Sequence, residues 1–456
     1  MSEKTAPLNP RPEVSAASPW TFPDSHHEQL DSGLRVVRVP IPGQQVVTVE
    51  LGLDVPLTAE EPTQLGVASL VLTSSDEGTQ KHPGAELAEA IESIGASYDG
   101  ACGLTSSSVS IEVPRRHLDQ ALELLAEIIT SSALADADVL RQMAQARAQL
   151  AQAAQNGPSL AGLAVSREVW PLGARASRPI GGTATTLDAI TPDDVRAFRD
   201  ATWLPVGGVI VLAGDGVDQV DLGAFSRWTG ARAGEAGKVR WDQLGTDGPT
   251  GVLLVDRPDA VQADVRIQTR VPGRQDPRWA ALKVACLVLG GTFGSRLNTV
   301  LREQKGWSYG VSATARALRD GGLVTVGGAF RAEVAAQAVR TALDLVDPAS
   351  APLEEAEARD ARNHAVGVAP LQYDTAGAVA SQVTTLEMAG LTGEWVDQLM
   401  ADTAAVTVDR ANRAWHELLP ASAWRVGIAG PAATLGPALE EAGFMVEVIS
   451  PSELLG

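Results

Sequence analysis

The hydrophobic positions of this chain pass through the same order of periodicities twice. The first half predicts two strands, two helices, two strands and an amphipathic helix, at Leu34–Val39, Val46–Leu53, Gln64–Thr73, Ala85–Ile94, Ala96–Gly103, Ser106–Val113 and Leu118–Ile129. The second half predicts the same order, at Gly251–Asp256, Ala263–Val271, Trp279–Leu289, Leu297–Arg302, Trp307–Ala317, Gly322–Phe330 and Glu333–Val346. The repetition indicates a tandem duplication.

Two short motifs support the duplication. The segment Gly95–Tyr98 recurs as Gly306–Tyr309, and the helix start at Thr191 has a counterpart at Thr407, each followed by a Leu-Pro dipeptide and a strand. A repeat of this length is too long for a solenoid. It predicts an α+β fold of two homologous domains, each an antiparallel sheet with helices on one face.

The boundaries of these domains follow from composition. Residues 1–25 are rich in Pro, Ser and Ala, lack the apolar core of a signal peptide, and are predicted to be a disordered leader. The N-terminal domain is predicted over 26–226 and the C-terminal domain over 251–456. Between them, 227–250 is rich in Gly, Ala and charged residues and is predicted to be a linker.

Charge and composition narrow the possible partners. The net charge of −20 makes nucleic acid a poor partner and a basic or neutral peptide a better one. No run approaches 18 apolar residues, so no membrane span is expected. Cys102 and Cys286 both lie in apolar surroundings, form no disulfide framework and fit a reducing compartment. We therefore expect a cytoplasmic protein.

One stretch, Leu289–Tyr309, concentrates residues with chemical potential. Glycines form a flexible turn, Ser295 occupies an N-cap position, and Gly306 ends a short helix before a predicted strand. Arg302 is then on the last helical turn and Tyr309 at the start of the strand, where a guanidinium and a phenol can meet. For a lone pair of this kind, a solvated arginine and a core tyrosine would be the ordinary interpretation.

The residues around this pair change that interpretation. The string Ser-Arg-Leu, Leu-Arg-Glu and Gly-x-x-Tyr, ending at Tyr309, resembles the second domain of the insulinase/pitrilysin-like zinc metallopeptidases, or inverzincins. The resemblance covers about the whole chain from Leu30 to Gly443. It implies two LuxS/MPP-like domains per chain, two chains closing as a clamshell around a peptide, and a catalytic and substrate-binding role for Arg302 and Tyr309.

The zinc motif of the active members is absent. Those members carry His-x-x-Glu-His on the helix after the second strand, with a further glutamate about 75 residues later. The matching positions hold Ser69, Leu72 and Thr73, and the distal glutamate falls near Gln149. None of these side chains can replace the missing ligands or base, and no two histidines elsewhere have helical ligand spacing. We expect no metal or other cofactor in this chain.

The resemblance therefore implies a non-catalytic subunit, similar to the α subunit of the mitochondrial processing peptidase and to bacterial heterodimeric homologues. A partner of similar size would carry the zinc, while Arg302 and Tyr309 hold the substrate carbonyl and stabilise the tetrahedral intermediate as short or unfolded peptides are cleaved. The α subunit's long glycine-rich loop is not matched, since only Gly290–Gly294 occupies its place.

Three alternatives stay open. The chain could be an inert scaffold, as the core subunits of a respiratory complex are in the same family, although a scaffold has no need of Arg302 and Tyr309. It could be a homodimeric peptide-binding protein without hydrolysis. It could also be a divergent peptidase whose zinc ligands escape the alignment.

Overall fold

The computed structural model describes residues 20–171, 173–230 and 251–456. Twelve strands occur in these ranges: β1 His26–Gln29, β2 Arg35–Pro40, β3 Val46–Leu53, β4 Ser97–Cys102, β5 Ser107–Pro114, β6 Val209–Gly214, β7 Gly251–Asp256, β8 Gln262–Val271, β9 Val311–Leu318, β10 Gly321–Arg331, β11 Arg425–Gly430 and β12 Met445–Ile449. They form two six-stranded sheets, in the orders β1-β2-β6-β3-β5-β4 and β12-β7-β11-β8-β10-β9.

Sixteen helices accompany the strands in the same ranges. They are α1 Val67–Ser75, α2 Ala85–Ser93, α3 Leu118–Ser131, α4 Asp136–Ala153, α5 Gly157–Val169, α6 Ala184–Ala189, α7 Pro192–Thr202, α8 Gly223–Ser226, α9 Trp279–Cys286, α10 Ala332–Val346, α11 Glu355–Gln372, α12 Ala376–Met388, α13 Glu394–Ala404, α14 Val408–Leu418, α15 Ala432–Glu441 and α16 Pro451–Leu455. No helix in the described part of the chain is long and apolar enough to cross a membrane.

The two sheets confirm the predicted α+β duplication. Five strands of each sheet have one topology, because β2-β6-β3-β5-β4 and β7-β11-β8-β10-β9 match position by position. The sheets are mixed rather than antiparallel, since β6 runs parallel to β2 and β11 runs parallel to β7. Strand β6 is buried along its whole length, as is β11, which is typical of a strand covered on both faces.

Helices also cover both faces of each sheet, not one. The alternating residues Val47, Val49 and Leu51 of β3 pack with α1 and α3 in the core of the first domain. The opposite face of the first sheet is covered by α12 of the second domain, and the second sheet is covered in the same way by α5 of the first domain. Each domain therefore completes the core of the other.

Polar contacts reinforce this exchange. Arg35 on β2 donates to the Glu387 carboxylate on α12 at 2.7 Å. Close backbone packing occurs on the other side, where a Cβ at Gly427 of β11 would lie 2.3 Å from the Val165 nitrogen of α5. Only glycine permits that approach of helix to strand.

The ends of the N-terminal domain differ from the prediction. Trp20 stacks on Tyr373 of the second domain at 5.7 Å, and the buried Phe22 donates its backbone N–H to Asp397 at 2.8 Å. The predicted leader is therefore too long at its C-terminal end. The predicted linker begins too early, because Trp228 is buried and its indole donates to the Trp203 carbonyl at 3.2 Å. Residues 1–19 and 231–250 lie outside the described ranges.

A buried ion pair fixes the start of α1. The Arg175 Nε donates to Glu60 Oε2 at 2.6 Å, and both residues are at most 8% exposed. Glu60 Oε1 accepts the backbone N–H groups of Gly66 and Ala68 at 3.1 and 3.0 Å. Burial raises the pKa of Glu60, although Arg175 and these hydrogen bonds oppose the rise. The pair ties α1 to the loop that carries Arg175.

We predict that Arg175→Met lowers the free energy of unfolding by about 3–5 kcal/mol, because it leaves a buried carboxylate without its cation. Urea denaturation followed by circular dichroism measures the change. The control is Arg141→Met, which removes an exposed pair with Glu77 and Asp138 and should have a much smaller effect. Equal effects of the two variants would contradict the structural role given to Arg175.

Candidate functional site

Two π-helical turns frame the segment that carries the predicted pair. They span Leu287–Gly291 and Asn298–Gln304, a kind of distortion that is frequent at functional sites. Gly306 ends the second one in the left-handed conformation, with φ of +62°, as predicted. Strand β9 begins only at Val311, so the prediction of a strand from Trp307 is wrong at its start. Tyr309 lies in the loop before the strand.

Asn298 explains where the strand begins. This residue is 7% exposed, and its Oδ1 accepts the backbone N–H of Val311 at 2.9 Å. Its Nδ2 donates to the Thr292 carbonyl and to Ser295 Oγ, both at 3.1 Å. One amide thus joins the glycine-rich turn, the helix and β9. It leaves the loop from Trp307 to Gly310 outside the sheet.

Arg302 lies against an aromatic ring. Its Cζ is 3.3 Å from the centroid of Phe293, and its Nη2 donates to the Phe293 carbonyl at 3.4 Å. The same Nη2 contacts Glu303 Oε1 at 2.7 Å. The guanidinium side chain is only 14% exposed, whereas Phe293 is 76% exposed. The ring therefore covers the charge and limits the positions that the guanidinium can take.

The Tyr309 side chain, in contrast to that of Arg302, is open to solvent. It is 96% exposed, and its hydroxyl has no hydrogen-bond partner among the described residues. No hydrogen bond joins it to Arg302, so the predicted meeting of guanidinium and phenol does not occur within this chain. The repeat counterpart Tyr98 is partly buried, and its hydroxyl is 3.2 Å from Ser75 Oγ. Exposure is thus a property of Tyr309 and not of the repeat.

Sequence reasoning missed two residues of this site, Phe293 and Asn298. A polar residue between Leu297 and Leu301 on the buried side of a short helix was the available signal for Asn298. An aromatic residue within a glycine-rich turn was the signal for Phe293, since such turns are otherwise built from small residues. Arg296 of the same motif has a structural role, because it binds Glu357 through two hydrogen bonds of 2.7 and 2.6 Å.

The helix that would carry zinc does not fit a metal. Leu72, at the position of the catalytic glutamate, is 8% exposed and packs against β4, where a Cβ at Gly100 would lie 2.6 Å from Leu72 Cδ1. Ser69 is half-buried and Thr73 exposed on the same helix, and Gln149 is an exposed residue of α4. Within 20–171, 173–230 and 251–456, no three His, Cys, Asp or Glu side chains come together as ligands.

The face of the first sheet that α12 covers in part is acidic. Register places Glu50 of β3, Ser110 of β5 and Asp99 of β4 in one row across three strands. In the next row Glu112 accepts the hydroxyl of Thr48 at 3.0 Å. Glu50 is 8% exposed, and burial raises its pKa from 4.5 to about 7. We call this surface the acidic face.

Fold and site together define a duplicated two-domain architecture in which the described residues hold no cluster of metal ligands. Two models of one family match the chain, "Insulinase (Peptidase family M16)" over residues 35–180 and "Peptidase M16 inactive domain" over 189–363. The chain belongs to the insulinase family, M16, and is an inactive-type member. The second match also indicates a paired M16 partner.

Known relatives agree with the assignment to this family. The chain is 26% identical over 398 residues to an uncharacterized zinc protease of Mycobacterium leprae, covering 86% of this chain and 88% of the relative. It is 25% identical over 435 residues to one of Mycobacterium tuberculosis, covering 93% and 96%. The fold matches a peptidase M16 inactive domain structure from Pseudomonas fluorescens with a TM-score of 0.81 and 19% identity, covering 90% of this chain and 98% of that one.

We predict that Asn298→Ala lowers the free energy of unfolding by about 1–3 kcal/mol, because the buried Val311 N–H loses its acceptor. Urea denaturation gives the value. The loop Trp307–Gly310 should also become more accessible to hydrogen exchange. The control Thr299→Ala removes only a 3.5 Å contact from the same helix and should change stability by less than about 0.5 kcal/mol. Equal costs would show that Asn298 does not hold the loop.

A second prediction concerns pH. A carboxyl group whose folded pKa is raised binds its proton more tightly in the folded state. Glu50 therefore lowers stability progressively between pH 4.5 and about 7, and fully above that range. Glu50→Gln should raise the free energy of unfolding at pH 8 by up to roughly 3 kcal/mol and change little at pH 4. Denaturation across pH tests this, with exposed Glu123→Gln as control; parallel pH profiles for wild type and Glu50→Gln would contradict it.

Proposed function

We propose that this chain is the non-catalytic subunit of a heterodimeric zinc metallopeptidase that cleaves short or unfolded peptides. The observation that carries the proposal is the exposed, unpartnered hydroxyl of Tyr309, together with an Arg302 guanidinium held under Phe293 in the same segment. A phenol at 96% exposure has no structural use within this chain. Its exposure supports a role in contacting a partner or a peptide.

Helix α1, the counterpart of the zinc-binding helix in active members, supports a non-catalytic role for this chain. A leucine packed into the sheet at the position of the general base cannot activate water, so hydrolysis requires a second polypeptide. The zinc expected in a His-x-x-Glu-His partner of similar size would supply the nucleophile. This chain's contribution is then confined to binding and to charge stabilisation.

Arg302 and Tyr309 have the chemistry for that contribution. Attack on a peptide carbonyl places negative charge on its oxygen, which a phenolic O–H can stabilise by donating a hydrogen bond. A guanidinium is permanently charged and presents a planar set of donors to neighbouring carbonyls. Phe293 keeps that guanidinium in place before substrate arrives, which reduces the reorganisation needed on binding.

We predict that Tyr309→Phe or Arg302→Ala lowers kcat of the reconstituted pair by on the order of 10²–10³, the usual cost of losing one oxyanion donor. Hydrolysis of a fluorogenic peptide by co-expressed subunits measures kcat. Circular dichroism should show an unchanged fold, since neither side chain is part of a buried core.

Matched controls isolate the role. Tyr98→Phe removes a phenolic hydroxyl from the repeat counterpart, and Arg359→Ala removes an exposed arginine from α11. Both should retain turnover within about twofold. Near-normal turnover by Tyr309→Phe and Arg302→Ala would reject the assignment.

The other candidate roles are outcomes of the same experiment. A pair that assembles but never hydrolyses peptide would favour an inert scaffold. Peptide binding by a homodimer without a partner would favour a peptide-binding homologue. Stoichiometric zinc and hydrolysis in this chain alone would favour a divergent peptidase. A cytoplasmic location stays a prediction and is tested by fractionating cells.

A further inference from the structure

A trough crosses the open face of the second sheet. It is a cavity of about 450 Å³ whose lining includes Asp264, Arg266, Ser312, Thr314, Thr325 and Gly327. Strand register explains why these residues lie together. Arg266 of β8, Gly327 of β10 and Ser312 of β9 form one row across the sheet. Thr325 and Thr314 lie in the next row. Side chains two residues apart on a strand share a face, so hydroxyls and a guanidinium line one surface. We call it the hydroxyl trough.

Arg266 is held on the floor of this trough. A Cβ at Gly327 would lie 3.1 Å from Arg266 Nη1 and 3.2 Å from its Cδ, so the arginine lies across the space that a side chain would fill. Its Nη1 donates to the Val265 carbonyl at 2.9 Å. The remaining donors of the guanidinium have no hydrogen-bond partner in the described residues. They remain available to a ligand.

The polar groups around Arg266 suit a carboxylate. Thr325 Oγ1 already accepts a hydrogen bond from Gln268 Nε2 at 2.8 Å, so its own proton is free to be donated. Ser312 and Thr314 present exposed hydroxyls on the edge strand. The one carboxylate of the lining, Asp264, is 4.0 Å from the cation of Arg257, and burial raises its pKa while Arg266 and Arg257 oppose the rise.

The hydroxyl trough is continuous with the surroundings of Tyr309. A second cavity of about 280 Å³ is lined by Tyr309, Trp307 and Arg331, and Ala329 lines both cavities. Ser312 follows Tyr309 by three residues, a separation of roughly 10 Å in extended chain. Arg266 lies two strands across the sheet from Ser312, roughly a further 10 Å, so a peptide whose carbonyl lies at Tyr309 reaches Arg266 with about four further residues.

Charge favours one orientation of such a peptide. The acidic face of the first sheet carries Glu50, Asp99 and Glu112, which repel a carboxylate and attract an amine or a basic side chain. In the hydroxyl trough the positive charge of Arg266 is offset in part by Asp264, and the unpaired guanidinium donors and the hydroxyls of Ser312 and Thr314 favour an acceptor rather than an amine. The two sheets therefore favour opposite ends of a peptide.

We propose that the hydroxyl trough binds a carboxylate of the substrate peptide, with Arg266 as the specificity-determining residue. The guanidinium and the hydroxyls of Ser312 and Thr314 donate to the two carboxylate oxygens. This inference rests on the proposed function in taking a peptide as the ligand. It selects peptides with a carboxylate about four residues beyond the cleaved bond, as a free C-terminus or as an acidic side chain.

Binding to this chain alone tests the proposal without the partner. The probes are three fluorescein-labelled hexapeptides with otherwise neutral side chains: one with a free C-terminus, one with a C-terminal amide, and one amidated with glutamate as its last residue. Fluorescence anisotropy gives each Kd. We expect at least one acidic probe to bind roughly tenfold more tightly than the neutral amide, since a charged hydrogen-bonded pair is gained. The tighter of the two acidic probes identifies the source of the carboxylate.

Variants connect this difference to Arg266. Arg266→Gln should remove the preference, Arg266→Lys should retain part of it, and Gly327→Val should remove it by displacing the guanidinium. The control Arg359→Gln changes an exposed arginine of α11 and should keep the full preference. Thermal melts exclude unfolding as the cause.

Equal Kd values for all three probes in the wild type, or a preference that survives Arg266→Gln, would overturn the assignment of the trough. The proposed function fails by a different result, namely normal turnover in Tyr309→Phe and Arg302→Ala. The two failures are therefore distinguishable.

Discussion

Each sheet in this molecule has a second apolar face that its own domain does not cover, and a single helix from the other domain covers part of it. Val37, Val39 and Val211 on the first sheet are buried by α12, and Leu253 and Val255 on the second by α5. Burial of such surface is the main favourable term in folding, so neither core is complete without the other. Helix α12 contacts β3 and α5 contacts β8, and from these strands to the edge strands β4 and β9 part of each sheet face stays uncovered. The acidic face and the hydroxyl trough lie on these strands.

Much of this fold could be predicted from local patterns. Alternation along Val46–Leu53 gave β3 its observed limits, and the repeated order of elements gave the duplication. The parallel pairing of β6 with β2 could not be predicted, because periodicity identifies a strand but not its neighbour. The uninterrupted apolar run of Val209–Gly214 was a usable sign that β6 is central. The packing of α5 and α12 on the sheet of the other domain also could not be predicted, because the apolar side of a helix does not specify which sheet it covers.

The candidate residues of the site could be named from the sequence, but their arrangement in the fold could not be predicted. Arg302 and Tyr309 were found through the resemblance of their motif, and their roles remain predictions. The start of β9 depends on the Asn298 side chain capturing the Val311 N–H, an interaction that propensity does not encode. That one hydrogen bond decides whether Tyr309 is in a strand or in a loop. The trough was beyond sequence reasoning for another reason: Arg266 and Ser312 meet only through the register of β8, β10 and β9.

The packing of Leu72 against Gly100 affects whether this chain could regain a zinc motif by mutation. The His-x-x-Glu-His motif would be restored by three substitutions: Ser69→His, Leu72→Glu and Thr73→His. The restored glutamate would occupy a position that is 8% exposed and faces an apolar core, where a carboxylate is costly to ionise. The Leu72→Glu step would therefore reduce stability before any metal could bind. Core packing at Leu72 therefore opposes the return of a zinc motif to this helix.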